Sequence, residues 1–154
     1  MGRSLCLGTL ASLGADMSYQ YLITPFIAWF VAGSLKFIIN SLIAKKPATN
    51  LIGYGGLPSN HTAIVCSMAA LIGLQEGLGH PAFGVAITLA FIVILDASSL
   101  RRQVGIHATL LNKLSKAQDL TTPKLRERMG HSHIEILAGA ITGILVAIAV
   151  SYFA

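Results

Sequence analysis

The sequence predicts an all-α, polytopic membrane helix bundle with about four transmembrane helices and one interfacial amphipathic helix. Three observations lead there. Hydrophobic residues make up 54% of the chain and charged residues only 11%, against roughly 25% charged in an average soluble domain, and the mean hydropathy is +0.70. Long uncharged runs recur along the chain, and the charges collect between them. A soluble bundle would need charged outer faces on its helices, which these runs lack.

The elements follow in order. Residues 1–18 are expected to be an N-terminal extension, open to a disordered reading; Leu5 to Ala15 behind Arg3 has the outline of a weak signal peptide, and Met17 favours a dispensable extension instead. Residues 19–154 then form one membrane domain. Tyr21 to Ala44, interrupted only by Lys36, and the uncharged stretch Ile136 to Ala154 each reach the ~20 residues that a spanning helix needs. Leu57 to Gln75 and Pro81 to Leu95 are uncharged too. The second of these is short, so Asp96 to Leu100 or the turn Gly77 to His80 must complete it.

Leu100, Val104, Ala108, Leu111 and Leu114 recur at helical spacing, which describes an amphipathic helix at the interface. Ser115 to Arg128 reads as a polar connection, with Pro123 near the start of a short helical turn. His80 reads as a turn residue. Gly139 and Gly143 make a GxxxG pattern that lets the last helix approach a neighbour closely, within one protomer or between two copies in a homo-oligomer.

The net charge is +5, and its distribution sets an orientation. Lys45, Lys46, Arg101, Arg102, Lys113, Lys116, Lys124, Arg126 and Arg128 lie in two loops on one side, opposite Arg3. The positive-inside rule turns those loops toward the cytoplasm. The same charge attracts anionic headgroups, so membrane lipids are the expected partners and nucleic acid is not. Cys6 and Cys66 show no metal-ligand spacing, so neither zinc nor a disulfide is indicated and no metal or other cofactor is expected.

Chemistry concentrates at two histidines. Pro58-Ser59-Asn60-His61 stands behind Gly53, Gly55 and Gly56, where backbone N–H groups and a hydroxyl can hold a phosphate while the histidine serves as a general acid. His131 and Glu135 share one helical face at i, i+4 spacing. A carboxylate on one imidazole nitrogen leaves the other oriented and more basic, as a nucleophile requires; the alternative is a capping carboxylate beside a passive histidine. Lys36, Asp96 and Glu135 are costly to bury unless paired. Lys36 either snorkels or serves the site, and Asp96 reads best as a structural partner for a neighbouring arginine.

Together these residues resemble the phosphatidic acid phosphatase type 2 superfamily. Pro58-Ser59-Asn60-His61 is similar to its P-S-G-H motif, and Gly130-His131 followed by Glu135-Ile136-Leu137-Ala138-Gly139 is similar to its G-x-H-x-x-x-D-x-x-A-G ending. The run Asp96 to Gly105, with Leu111-Asn112, looks like a divergent branch described as acid phosphatase or vanadium-dependent haloperoxidase related.

The resemblance implies a metal-free phosphatase working through a phosphohistidine. His131 would be the nucleophile, Glu135 its orienting carboxylate and His61 the general acid. Gly56, Ser59 and Asn60 would hold phosphate oxygens, with Arg101 or Arg102 and a lysine among Lys36, Lys45 and Lys46 neutralising charge. The chain departs from the pattern in places: Lys46-Pro47 replaces R-P, glutamate replaces aspartate, and Leu125 stands where arginine precedes the histidine by six. Arg101, Gly105 and His107 reproduce R-x-x-x-G-x-H, making His107 the alternative nucleophile. The preferred reading is a split motif, with the arginine before an inserted helix and His131 after it.

The expected function is hydrolysis of a lipid phosphate or diphosphate by an integral protein of a bacterial inner membrane or an organellar membrane, with the site on the cytoplasmic side or its organellar equivalent. Two other classes remain open: a non-catalytic headgroup-binding protein, and a small transporter or channel component using Lys36, Asp96 and Glu135 as a polar path.

Overall fold

The computed structural model describes residues 19–44 and 56–153. The expectations for residues 1–18 and for Lys45, Lys46, Gly53 and Gly55 lie outside the described residues. Five α-helices follow in order: α1 Gln20–Ala44, α2 Asn60–Gln75, α3 Pro81–Leu95, α4 Arg101–Ala117 and α5 His133–Phe153, with a π-helical segment Asp96–Leu100 between α3 and α4. No strand occurs among the described residues.

Small residues make the interior. Ala28, Ala32, Ala63 and Ala147 are wholly buried, whereas Phe26, Trp29, Phe30, Leu137 and Leu145 are exposed. This inverts the pattern of a water-soluble core. Lipid tails are as apolar as leucine, so membrane helices gain by close backbone packing through small residues. The chain is an integral membrane protein. Gln20–Ile43, Pro81–Ala117 and His133–Phe153 are long and apolar enough to cross a bilayer. At 16 residues and 1.5 Å per residue, α2 is shorter than the ~30 Å hydrocarbon layer.

α2 nevertheless sits at the centre, packed on α1, α3 and most extensively on α5. The GxxxG pattern explains the last contact. A Cβ at Gly139 would stand 2.5 Å from the Ser59 carbonyl oxygen, and one at Gly143 would collide with the Ala63 carbonyl and stand 2.9 Å from Ser67 N. The two glycines serve packing within the protomer. At the far end of the same bundle, the Tyr21 hydroxyl donates to Glu76 Oε1 at 2.7 Å, and Gln75 donates to the Gln20 side chain. His80 caps α3 by accepting the Ala82 N–H at 3.2 Å.

Two expectations require correction. The amphipathic stretch does form a helix, α4, but it continues α3 through the π segment instead of starting anew: Pro81 to Ala117 is one unbroken helical run of 37 residues. Neither proline nor glycine stands between Leu95 and Arg101, so nothing ends the hydrogen-bond ladder, and the chain widens into a π turn instead. Of the apolar row that runs from the end of the π segment along α4, Ala108 is buried while Leu100, Val104, Leu111 and Leu114 are exposed.

The second correction concerns residues 118–132, which form no helical turn at Pro123. They run back along α4 as irregular chain. Asn112 pins them, accepting the Leu125 N–H at 2.9 Å and donating to the Leu125 carbonyl at 2.8 Å, which satisfies backbone that has no ladder of its own. A Cβ at Gly105 would meet the Glu127 carbonyl oxygen at 2.5 Å, so the returning chain lies directly on α4.

Candidate functional site

The returning chain matters because of where it ends. At Gly130 the backbone takes φ +89°, a left-handed value that L side chains resist. Past that turn, the His131 N–H donates to the Ala97 carbonyl at 3.0 Å. His131 is thereby fastened to the π segment although 34 positions separate them in sequence.

α5 then begins with a reciprocal cap. Ser132 N–H donates to Glu135 Oε2 at 2.9 Å, and Glu135 N–H donates to Ser132 Oγ at 3.3 Å. The same Glu135 Oε2 stands 3.1 Å from His131 Nδ1. An ionised carboxylate only accepts, so Nδ1 carries the proton, and in the neutral imidazole the lone pair is then on Nε2. One oxygen of Glu135 thus contacts both the Ser132 N–H of the cap and the His131 imidazole. The His131 side chain is 8% exposed and Glu135 15%.

His61 arrives from the first turn of α2, exposed, with its ring centroid 6.1 Å from that of His131 and tilted by 56°. The two starting turns are tied together, because Ser59 N–H donates to the Glu135 carbonyl at 2.9 Å. The Ser59 side chain faces inward. It is wholly buried, and its Oγ accepts from Thr62 Oγ1 at 3.0 Å and from Thr62 N at 3.4 Å, capping α2.

Asp96 and Arg101 form an ion pair at 2.8 Å through Arg101 Nε. In an α-helix residues five apart diverge by about 140°; the wider π turn reduces that divergence, and such turns often occur at functional sites. Arg101 and Lys36 are close enough to act electrostatically on His61, with Asp96 opposing them, and Lys36 is similarly close to Glu135. One face of α1 serves this region. A Cβ at Gly33 would lie 3.6 Å from Asn60 Nδ2, and one at Gly56, whose φ is +148°, would lie 3.2 Å from Asn40 Oδ1. Asn60 Oδ1 is buried with no hydrogen-bond partner among the described residues.

The structure thus brings together His61, His131, Glu135, Arg101, Asp96 and Lys36. His107 is exposed on α4, with no hydrogen bond or ion pair to this group among the described residues, and Lys46 lies outside them. Arg102 belongs to a separate cleft of about 430 Å³, lined also by Arg128, His133, His131 and Glu135 but by neither His61 nor Arg101. In its sequence context Arg128 reads only as topological charge, and His133 either stands in for His131 or faces the headgroups. Among the described residues, no group of three or more His, Cys, Asp or Glu side chains is arranged to hold a metal ion.

Comparison with known proteins bears on this arrangement. Residues 17–146 match the model of a family described as the divergent PAP2 family. The chain is 32% identical over 148 residues to the uncharacterized membrane protein YuiD of Bacillus subtilis (strain 168), covering 86% of this chain and 94% of that one. No solved structure matches.

Proposed function

The chain belongs to the divergent PAP2 family, and from that premise we propose that it is an integral membrane phosphatase acting on a lipid phosphate or diphosphate. The observation that carries the reading is the facing pair of histidines, 6.1 Å apart between ring centroids, with a carboxylate on Nδ1 of one of them. His131 Nε2 attacks phosphorus as the bond to the lipid oxygen breaks, and His61, protonated, delivers its proton to that departing oxygen. Water then attacks the phosphohistidine, His61 takes its proton, and inorganic phosphate leaves with both histidines restored. Productive attack places His131 Nε2 within about 3–3.5 Å of phosphorus and His61 within hydrogen-bond reach of the departing oxygen.

Arg101 and Lys36 supply the positive field that a transferred phosphoryl group needs. Asp96 holds Arg101 in place through Nε, and the terminal nitrogens of Arg101 have no partner among the described residues. Ser59, buried as the α2 cap, positions the loop; the phosphate contacts on that side fall to the backbone from Gly56 to Asn60. We further read Leu57 to Gln75 as a fourth crossing, completed by the residues ahead of α2, and the basic loops as cytoplasmic.

The test is phosphate release by purified protein from a panel of lipid monophosphates and diphosphates, without and with EDTA, beside a His131→Ala control. Metal-independent release that the control lacks supports the reading. Headgroup binding with no release would replace it with a binding protein, and ion flux in proteoliposomes with a transporter.

A further inference from the structure

Arg101 and Arg102 are neighbours in sequence with opposite circumstances. Arg101 is held by Asp96. Arg102, about 100° further round the helix, is exposed and has no hydrogen-bond or ion-pair partner for its side chain among the described residues. It shares its cleft with Arg128, whose guanidinium likewise has no such partner there, although Arg126 Nε braces the turn by donating to the Arg128 carbonyl at 3.2 Å. The acid in the lining, Glu135, already accepts from His131 and from Ser132 N–H. Two unpartnered guanidiniums lining one concavity repel each other unless an anion joins them.

A cleft at the tip of α4 gives a comparison. Its three lysines, Lys113, Lys116 and Lys124, face two acids, Asp119 and Glu127, the same excess of one cation as in the arginine cleft, but no histidine and no arginine is there. What sets the arginine cleft apart is that its acid, Glu135, is engaged by His131 and Ser132 and that the lining includes His131 itself. Its volume of about 430 Å³ falls in the range of roughly 300–1,000 Å³ typical of ligand sites, and guanidinium forks match phosphate oxygens bidentately.

We infer that the cleft lined by Arg102, Arg128 and His133 is a second anion site, which takes a phosphate-type group other than the one being transferred. As a substrate subsite it rests on the phosphatase reading, and as an anion site it does not. The group has three sources: a second phosphate on the same lipid, the headgroup of a neighbouring anionic lipid, or free inorganic phosphate.

The experiment uses the full chain in nanodiscs of zwitterionic lipid, with four probes: a short-chain lipid monophosphonate, its methylenebisphosphonate counterpart, inorganic phosphate, and nanodiscs doped with phosphatidylglycerol. If the second phosphate belongs to the substrate, the bisphosphonate binds at least about tenfold more tightly than the monophosphonate, the scale of one charge-assisted contact. Arg102→Gln and Arg128→Gln each then shrink that gap, whereas Arg101→Gln weakens both probes alike. A variant effect confined to phosphatidylglycerol, or to inorganic phosphate, keeps the anion site and assigns it that source. Wild-type-like binding of every probe by both cleft variants, with unchanged Tm showing intact folding, overturns the inference. Phosphate release is scored separately, so a protein that hydrolyses nothing yet keeps the arginine-dependent preference defeats the phosphatase reading alone.

Discussion

α2 and α5 begin alike and are held differently. Each starts behind a serine whose hydroxyl accepts a backbone N–H, and each start holds one of the two histidines, His61 in the first turn of α2 and His131 just ahead of the α5 cap. At α2 the cap is Ser59 with Thr62, both wholly buried under Gly139, and the histidine beside it is exposed. At α5 the cap is exposed at Ser132, and its carboxylate also holds the histidine. On the proposed function, folding and chemistry are separable at α2, where they fall to different side chains. At α5 one oxygen of Glu135 serves both, so damage there spreads.

The largest expected effects remove the histidines themselves. His131→Ala should lower kcat by on the order of 10⁴-fold or more and abolish acid-labile labelling by a phosphorylated substrate. His61→Ala should cost about 10²–10⁴-fold on an alkyl phosphate, whose leaving oxygen needs a proton, and far less on an activated aryl phosphate. Steady-state kinetics on both substrate types and mapping of the label check this pair. A label on His107, or full activity in His131→Ala, would move the nucleophile to α4 and end the comparison between the two starts.

Intermediate effects separate the two duties of Glu135. Ser132→Ala removes half of the cap and should cost about 0.5–2 kcal/mol of stability, with kcat changed by less than about threefold. Glu135→Gln keeps a polar side chain at the cap but loses the charge that fixes the His131 tautomer, and should lower kcat by about 10²-fold or more. Thermal unfolding and kcat measured on the same preparations give the two axes. Equal loss of kcat in both variants would reduce Glu135 to a cap.

The sequence made the apolar runs legible because hydropathy is local, and α1, α3 and α5 lie where those runs are. It made the histidines legible through short spacings, and Ser132-x-x-Glu135 carries the mark of a capping box. What it hid was contact at a distance. Asn112 meets Leu125 across 13 positions, and His131 meets Ala97 only because the chain folds back between them. Arg128 read as topological charge, since its place beside Arg102 depends on that return and on the turn at Gly130. The continuity of α3 into α4 had a visible sign, the lack of any stop residue before Arg101, but the change from an apolar to an amphipathic pattern there resembled an ending.

The smallest expected effect is at Ser59, and it bears most directly on what the resemblance implied. A serine in this motif is implied to touch phosphate, yet here its hydroxyl is enclosed and occupied by Thr62. Ser59→Ala leaves the Thr62 N–H and hydroxyl without their acceptor, a loss of about 1–3 kcal/mol for buried polar groups. At roughly 2–4 °C per kcal/mol for a chain of this size, Tm should fall by several degrees. The histidines stand on neighbouring side chains and the Ser59 backbone link to Glu135 survives the substitution, so kcat/KM should change by less than about threefold. If instead kcat/KM drops by about 10²-fold at unchanged Tm, the hydroxyl turns outward during turnover to hold the phosphoryl group, and α2 would join α5 as a start where cap and chemistry share one side chain.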